Sequence, residues 1–302
     1  MINNELPNIF CCPDCRQDIE QSGNFFRCPD CLKEYKIIDG IPVFLTEKKE
    51  EFDIELALDK WHHFYENFDW EKEKEKYEPL NLPYIYKHFD LFKKGDIFLE
   101  LGAGPSFLSF DMAKKGIRVF CVDFDLDILK IAKKHFQEHK IDGIFVCADI
   151  LNLPFKSNVF NFSFGGGVIE HSKNFGKSVK GIFRVTKNNG YTFQTVPALS
   201  FFTSLFNLRY GTIPHLPILK QIFSFIHIKI LKARHMKYGY EESFTAGFLQ
   251  KIFKKSGFGK IEAGFYDYNQ TVFKKNKLLS KIFYKILRWR FFGDIAFIKA
   301  YK

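Results

Sequence analysis

The sequence predicts an α/β fold in which a doubly wound, mostly parallel seven-stranded sheet is preceded by a small cysteine-rich module. Strand and helix patterns alternate from Gly95 onward, which is typical of a parallel sheet covered by helices. Four of the seven cysteines form two CxxC pairs near the start of the chain. The length of 302 residues suits one large domain or two unequal ones. We therefore expect the cysteine-rich module over residues 1–48 and the α/β domain over 49–302.

The positive charge of the chain is concentrated in its last third. Residues 201–302 carry 19 Lys and Arg against 5 Asp and Glu, a net charge of +14, whereas residues 1–200 are slightly acidic. This excess indicates an anionic partner, either a membrane surface, a phosphorylated substrate or nucleic acid, unless it is only a solvated basic face. No run reaches the roughly 18 apolar residues of a transmembrane helix, and no secretion signal is recognised. The expected location is cytoplasmic, with membrane association as an option.

The two CxxC pairs predict a zinc site. Cys12-Pro-Asp-Cys15 and Cys28-Pro-Asp-Cys31 are separated by twelve residues, a spacing typical of four thiolates around one zinc ion. Disulfides are disfavoured in the cytoplasm, and a redox CxxC would not need a second copy. Four thiolates leave no open coordination position, so we expect a structural ion. Cys11 could compete with Cys12, but only Cys12 preserves the two-residue gap.

Apolar periodicity places the strands and helices of the larger domain. The expected strands are Ile97–Leu101, Ile117–Val122, Ile144–Cys147, Val159–Phe164, Tyr191–Val196, Lys260–Tyr266 and Asp294–Tyr301. The expected helices lie at Ile54–Phe68, near 105–115, 126–139 and 174–187, and at Thr245–Ser256. The alternating Glu and Lys of residues 71–76 predict a solvated, salt-bridged stretch. In the first module, Asp39-Gly40 predicts a tight turn between two short strands.

The turn after the first strand of the larger domain predicts a ligand-binding loop. Gly102 and Gly104 in the run ELGAG allow the backbone to approach a ligand closely. About twenty residues later the next strand ends in Asp123, whose carboxylate at the edge of the sheet can accept both hydroxyls of a ribose. Helix capping is the alternative role, and it suits Asp125 better. Phe107 replaces the third glycine of a dinucleotide fingerprint, and no P-loop motif is present.

Two sets of motifs resemble known families. CPDC, CPDC and YKIIDGIPVFL resemble, over about residues 8–46, the zinc-ribbon family related to the activator subunit of tRNA and protein methyltransferases. The larger domain resembles the class I S-adenosylmethionine-dependent methyltransferases, particularly the quinone-biosynthesis group, in the ordered motifs ELGAG (100–104), VDFD (122–125), ADILNLPF (148–155), GGVIEH (166–171), FRVTKNNG (183–190) and FTAGFLQKIFKKSGF (244–258). The resemblance implies a Rossmann-like methyltransferase domain over 49–302, with an insertion at about 198–240.

The second resemblance also implies a cofactor, S-adenosyl-L-methionine, and the residues that hold it. Glu100, Gly102, Ala103 and Gly104 would surround its methionine part, Asp123 its ribose, Phe124 the face of the adenine, and Asp149 with Ile150 the edge of the adenine. His171, just beyond the fourth strand, is the candidate general base for an oxygen or nitrogen acceptor. Its alternative role is to orient the cofactor pocket or its neighbour Glu170.

The expected function is methyl transfer to a small-molecule, glycan or lipid-linked acceptor. An RNA methyltransferase that uses the ribbon and the basic third, and a non-catalytic S-adenosylmethionine-binding scaffold, are the alternatives. The segments Ala198–Tyr240 and Lys274–Arg290 mix apolar and basic residues, which suits either peripheral membrane contact or a buried helix pair. The Lys and Arg residues of 201–302 are interleaved with large aliphatic and Phe side chains, and the ribbon is acidic. We therefore expect an anionic or lipid-linked acceptor in preference to RNA.

Overall fold

A computed structural model describes residues 8–45, 61, 63, 65, 68–172, 174–199, 212–232, 240–266 and 295–302. Most of the expected helix Ile54–Phe68 and all of the segment Lys274–Arg290 lie outside these residues. Among the described residues, no helix is both long enough and apolar enough to cross a bilayer.

The N-terminal module is an antiparallel sheet of four short strands. These are β1 (Glu20–Ser22), β2 (Phe25–Arg27), β3 (Glu34–Ile38) and β4 (Ile41–Pro42). Asp39 and Gly40 join β3 to β4 with φ angles of 51° and 68°. Two successive positive φ angles are what a two-residue hairpin turn of the type I′ class requires, so the predicted turn is confirmed.

The larger sheet has the predicted seven strands. They are β5 (Ile97–Leu101), β6 (Arg118–Asp123), β7 (Ile144–Cys147), β8 (Phe160–Gly166), β9 (Thr186–Pro197), β12 (Ile261–Tyr266) and β13 (Ile295–Tyr301), while two further short strands, β10 (Ile213–Pro214) and β11 (Glu242–Ser243), pair separately. The order across the sheet is β12-β13-β9-β8-β5-β6-β7, and only β13 runs against its neighbours. The predicted doubly wound, mostly parallel sheet is confirmed.

The largest difference from the predicted strands lies at the start of β9. β9 begins at Thr186 and not at Tyr191. Thr186 pairs with Phe160 of β8. The C-terminal residue supplies the remaining pairing, because the amide of Asn189 donates to the carbonyl of Lys302 and the amide of Lys302 donates to the carbonyl of Gly190. This pairing involves residues more than a hundred positions apart, so periodicity within 186–190 did not reveal it.

The helices are α1 (Trp70–His88), α2 (Phe107–Lys114), α3 (Leu126–Glu138), α4 (Phe175–Val185), α5 (Pro217–Ser224) and α6 (Ala246–Lys255). α1 includes the Glu/Lys run, whose Lys74 pairs with Glu78 at 2.9 Å as the predicted salt-bridged stretch requires. The helix itself was not predicted, because Pro79 and Pro83 disfavour a helix interior. α2 begins two residues later than expected, since Ser106 adopts a left-handed φ of 59° and closes the preceding turn.

The apolar core lies on both faces of the large sheet. The N-terminal module contributes aromatic residues to the core on one of these faces. Residues from α1, α2 and α3 pack on one face. The other face carries residues of α4 and α6 together with Phe10, Phe26 and Phe44 of the module. The ring of Phe10 stacks on that of Phe155 with centroids 5.5 Å apart. The backbone amide of Phe44 donates to the carbonyl of Cys147 at the end of β7, at 2.7 Å.

Candidate functional site

The loop after β5 lies where the strand order reverses, which is the usual ligand-binding position in an open α/β sheet. Gly102 and Gly104 have φ angles of 57° and 47°, which only glycine adopts readily. A Cβ atom on Gly102 would lie 2.3 Å from Cγ2 of Val168. The amide of Ala103 donates to the carbonyl of Val122 at 2.9 Å. These contacts hold the loop against the end of β6 with its backbone facing the cavity.

Two buried carboxylates support this loop. Asp123 ends β6, and its oxygens accept from the amides of Gly104 at 2.8 Å and Asp125 at 3.0 Å. Glu100 accepts from the amide of Ser109 at 3.0 Å. Burial raises the pKa of Asp123 to about 6. Burial, and to a lesser extent repulsion by Asp123, raises the pKa of Glu100 to about 7. A ligand that brings hydroxyl donors or positive charge would favour the ionised forms.

The neighbouring acidic residues divide between capping and ligand positions. Asp125 caps α3 by accepting from the amides of Asp127 and Ile128, so its predicted capping role is confirmed. Asp149 caps the short 3₁₀ turn that follows β7, where its carboxylate accepts from the amide of Leu151 at 2.8 Å. Asp149 also borders the cavity.

One cavity of about 700 Å³ brings the predicted residues together. All eight expected cofactor residues line it, as does His171: Glu100, Gly102, Ala103, Gly104, Asp123, Phe124, Asp149 and Ile150. The sequence did not reveal other parts of the lining. There α1 contributes Tyr77, Asn81 and Tyr84, and the sheet contributes Phe164. The three α1 residues are spaced four and three positions apart, which places them on one face of a helix. This spacing would have identified them if the helix had been predicted.

His171 lies in the 3₁₀ turn Ile169–His171, directly after β8. Its Nδ1 is 2.7 Å from the carbonyl oxygen of Tyr240. Because a carbonyl only accepts, we assign the proton of the neutral ring to Nδ1. Burial lowers the pKa of His171, and the carbonyls of Tyr240 and Gly167 oppose this only in part. At neutral pH the ring is therefore uncharged and able to accept a proton.

The four CxxC cysteines form one cluster in the N-terminal module. The Sγ atoms of Cys12, Cys15, Cys28 and Cys31 all lie within 4.8 Å of one another. Tetrahedral zinc with bonds of about 2.3 Å places its sulfurs roughly 3.8 Å apart, so the cluster fits such an ion. Cys11 lies outside it, because its thiol donates to the carbonyl of Phe155 at 3.1 Å.

Comparisons with known proteins agree with this architecture. Residues 99–193 match a family model described as "Methyltransferase domain". The chain is 26% identical over 204 residues to a demethylmenaquinone methyltransferase of Lactococcus lactis, covering 62% of this chain and 79% of the relative. It is 36% identical over 99 residues to an uncharacterized protein of Methanocaldococcus jannaschii, covering 33% of this chain and 40% of that protein.

Among solved structures, the chain resembles a Haemonchus contortus phosphoethanolamine N-methyltransferase in complex with phosphomonomethylethanolamine and S-adenosylhomocysteine. The TM-score is 0.54 at 18% identity, with 82% of this chain and 60% of that chain covered. The matches thus span less than two thirds of the Methanocaldococcus protein and of the Haemonchus enzyme. The chain contains a methyltransferase domain with the Rossmann-like fold of the S-adenosylmethionine-dependent enzymes.

Proposed function

We propose that this protein transfers the methyl group of S-adenosylmethionine to a small, largely apolar acceptor, either a free molecule or the reactive end of a lipid-linked or glycan-linked one. One observation carries the proposal. The predicted cofactor residues, His171 and an aromatic wall (Tyr77, Tyr84 and Phe164) all line one cavity. Its volume lies within the range that holds a cofactor-sized ligand together with a small partner.

The cofactor half of the cavity suits an adenosyl group. Asp123 can accept from both ribose hydroxyls, while Gly102 and Gly104 leave the backbone accessible to the amino-acid end of the ligand. Phe124 offers an apolar face beside Asp149 and Ile150. S-adenosylmethionine supplies a methyl group on positively charged sulfur, which is already activated for in-line displacement. These residues would therefore bind and orient the cofactor.

The acceptor half of the cavity is lined mainly by aromatic and aliphatic groups. Tyr77 and Tyr84 each present a ring with a polar end, and Asn81 lies between them on α1. Such walls exclude water and favour a planar or aliphatic acceptor. Lys76 is the single Lys or Arg among the described lining residues, and it is ion-paired with Glu73. A polyanion such as RNA would find no free cationic group inside this part of the cavity.

His171 would remove the proton from an acceptor hydroxyl or amine. Its ring is held by the bond to the Tyr240 carbonyl and borders the cavity. The neutral form, favoured by burial, is the form that can act as a base. The similarity to a demethylmenaquinone methyltransferase makes quinones and phenols the first acceptors to assay.

The cysteine cluster would hold one structural zinc ion. Four thiol groups fill a tetrahedral coordination shell, so no position is left for substrate or water. A module of this size buries too little apolar surface to fold by itself, and metal binding would supply folding free energy on the order of 10 kcal/mol.

Two assays test the proposal, first of cofactor binding and then of methyl transfer. Calorimetry should show S-adenosylmethionine binding that Asp123→Ala weakens by about tenfold or more. Asp127→Ala is the matched control, because this aspartate lies outside the cavity lining on the first turn of α3. Isotopically labelled cofactor is then added with a cell extract that is fractionated into RNA, lipid and small molecules. We expect label in the lipid or small-molecule fraction, whereas label confined to RNA would overturn the proposed acceptor and absence of binding would overturn the proposal.

A further inference from the structure

The insertion between β9 and α6 contains a helix that is apolar on two opposite sides. α5 continues directly into a π-helical turn at Phe225–Ile230. On the inner side, Phe223 and Ile228 pack against Ile213 and Tyr240. The other side is exposed, although an ordinary surface helix would carry polar residues there. The expectation of a buried helix pair is therefore wrong for the described part of this segment.

The exposed side forms a continuous apolar face. Ile218, Ile222 and Phe225, at helical spacings of four and three residues, are 75%, 50% and 61% exposed. Three further residues, also exposed, extend it: Leu219, Ile230 and Leu231. We call these six residues the apolar face. Scattered exposed leucines are ordinary, but six large apolar side chains on one helix mark an interaction surface.

The charged residues of the segment that carries the apolar face are all positive. Residues 212–232 contain three lysines and no Asp or Glu. Lys229 and Lys232 are exposed at the end of the helix, next to Ile230 and Leu231. Lys220 is directed inward and pairs with Glu242 at 2.7 Å. A cationic edge beside an apolar face complements a surface that presents both negative charge and apolar groups.

The segment is fixed close to the cavity. The buried carboxylate of Glu242 accepts hydrogen bonds from His215, Lys220 and the hydroxyl of Tyr240. The carbonyl of Tyr240 in turn binds His171, which lines the cavity. The segment that carries the apolar face is therefore linked by hydrogen bonds to the wall of the cavity.

We infer that the apolar face of α5, with Lys229 and Lys232 at its edge, docks the protein onto an anionic lipid bilayer. The helix is far shorter than the roughly 20 residues needed to span a bilayer, so it would lie in the plane of the headgroups. The net charge of +14 over residues 201–302 adds long-range attraction to the same surface. The inference is independent of the proposed methyl transfer, because docking requires neither cofactor nor acceptor.

Sedimentation of the full chain with lipid vesicles tests the inference. At low salt we expect the protein to pellet with vesicles of phosphatidylcholine and phosphatidylglycerol and about tenfold less with phosphatidylcholine alone. The double variant Ile218→Glu/Phe225→Glu should lose binding by about tenfold or more. Leu91→Glu and Leu32→Glu are the controls, because they replace leucines that are 101% and 65% exposed elsewhere on the surface. Lys229→Glu/Lys232→Glu should remove the preference for anionic vesicles.

Three results would overturn the inference. The first is failure of the unmodified protein to pellet with anionic vesicles, including failure accompanied by tight, salt-sensitive RNA binding. The second is equal pelleting of the Ile218→Glu/Phe225→Glu variant. The third is a dimer, detected by light scattering without lipid, that this variant converts to monomer, because the apolar face would then join two copies of the chain. Calorimetry with S-adenosylmethionine on each variant reports whether the cofactor site remains folded, which separates loss of docking from failure of the proposed function.

Discussion

At the scale of single residues, the protonation of Asp123 should control cofactor affinity. Its pKa is raised to about 6 by burial, so the empty site takes up a proton as the pH falls through that value. A protonated carboxyl loses acceptor capacity for the ribose hydroxyls. We expect S-adenosylmethionine affinity to be highest above about pH 7 and to decline towards about pH 5, as measured by calorimetry. In Asp123→Asn the affinity should be lower and should depend less on pH, with the remaining dependence due to Glu100, whose pKa burial raises to about 7. An unchanged pH dependence in that variant would contradict the assignment.

His171 should affect turnover and not cofactor binding. His171→Asn should lower the rate of methyl transfer by about a hundredfold or more, while calorimetry shows cofactor affinity changed by less than about twofold. Because burial lowers its pKa below the usual 6.5, the wild-type rate should still be maintained at pH 6.5 and should fall only at lower pH. His139→Asn, at an exposed position on the C-terminal side of α3, should leave the rate unchanged. A parallel loss of cofactor affinity in His171→Asn would indicate that the ring only orients the pocket.

Gly102 shows how one missing side chain shapes the site. Gly102→Ala combines a left-handed φ of 57°, which costs about 1–2 kcal/mol for an L-residue, with a Cβ atom 2.3 Å from Val168. We expect lower thermal stability and markedly weaker S-adenosylmethionine binding. Gly95→Ala is the matched control, because its φ of 90° imposes strain but nothing lies within 4 Å of the added atom. If both variants bound the cofactor normally, close approach of the loop backbone to the ligand would not be needed.

At the scale of elements, the N-terminal module tests which cysteines bind metal. Metal analysis of the purified protein should give one zinc per chain, and Cys12→Ser should lose it because its sulfur belongs to the cluster. Cys11→Ser should retain zinc, since the Cys11 thiol donates to the Phe155 carbonyl and lies outside the cluster. If Cys11→Ser lost zinc while Cys12→Ser retained it, Cys11 and not Cys12 would be the ligand.

At the scale of the whole molecule, the module should support the cofactor site. The segment from Cys147 to Lys156 carries Asp149 and Ile150, and the module holds both of its ends. Phe44 donates to the carbonyl of Cys147, and Lys156 donates to the carbonyl of Ile9. Loss of the metal should loosen this segment and weaken S-adenosylmethionine binding.

Calorimetry before and after zinc removal by a chelator measures this coupling. We expect affinity to fall by about tenfold, equivalent to about 1.4 kcal/mol, and to recover when zinc is restored. Arg27→Ala is the matched control, because it removes only an exposed pair with Glu34 in the module and should keep both zinc and affinity. Unchanged affinity in the zinc-free protein would show that the module and the cofactor site are energetically independent.

The sequence by itself determined those features that depend on neighbouring residues. Gly102 and Gly104 in one turn, Asp123 at the end of a strand and the paired CxxC motifs each express local chemistry, so spacing was enough to find them. Strand periodicity located all seven strands of the sheet for the same reason.

Only the tertiary structure decided what depends on contacts between distant parts of the chain. It placed α1 beside the cavity, bound His171 to Tyr240, and directed Cys11 towards Phe155 and away from the cysteine cluster. It also exposed one side of α5, because an apolar pattern specifies which residues share a face of a helix but not whether another part of the chain covers that face.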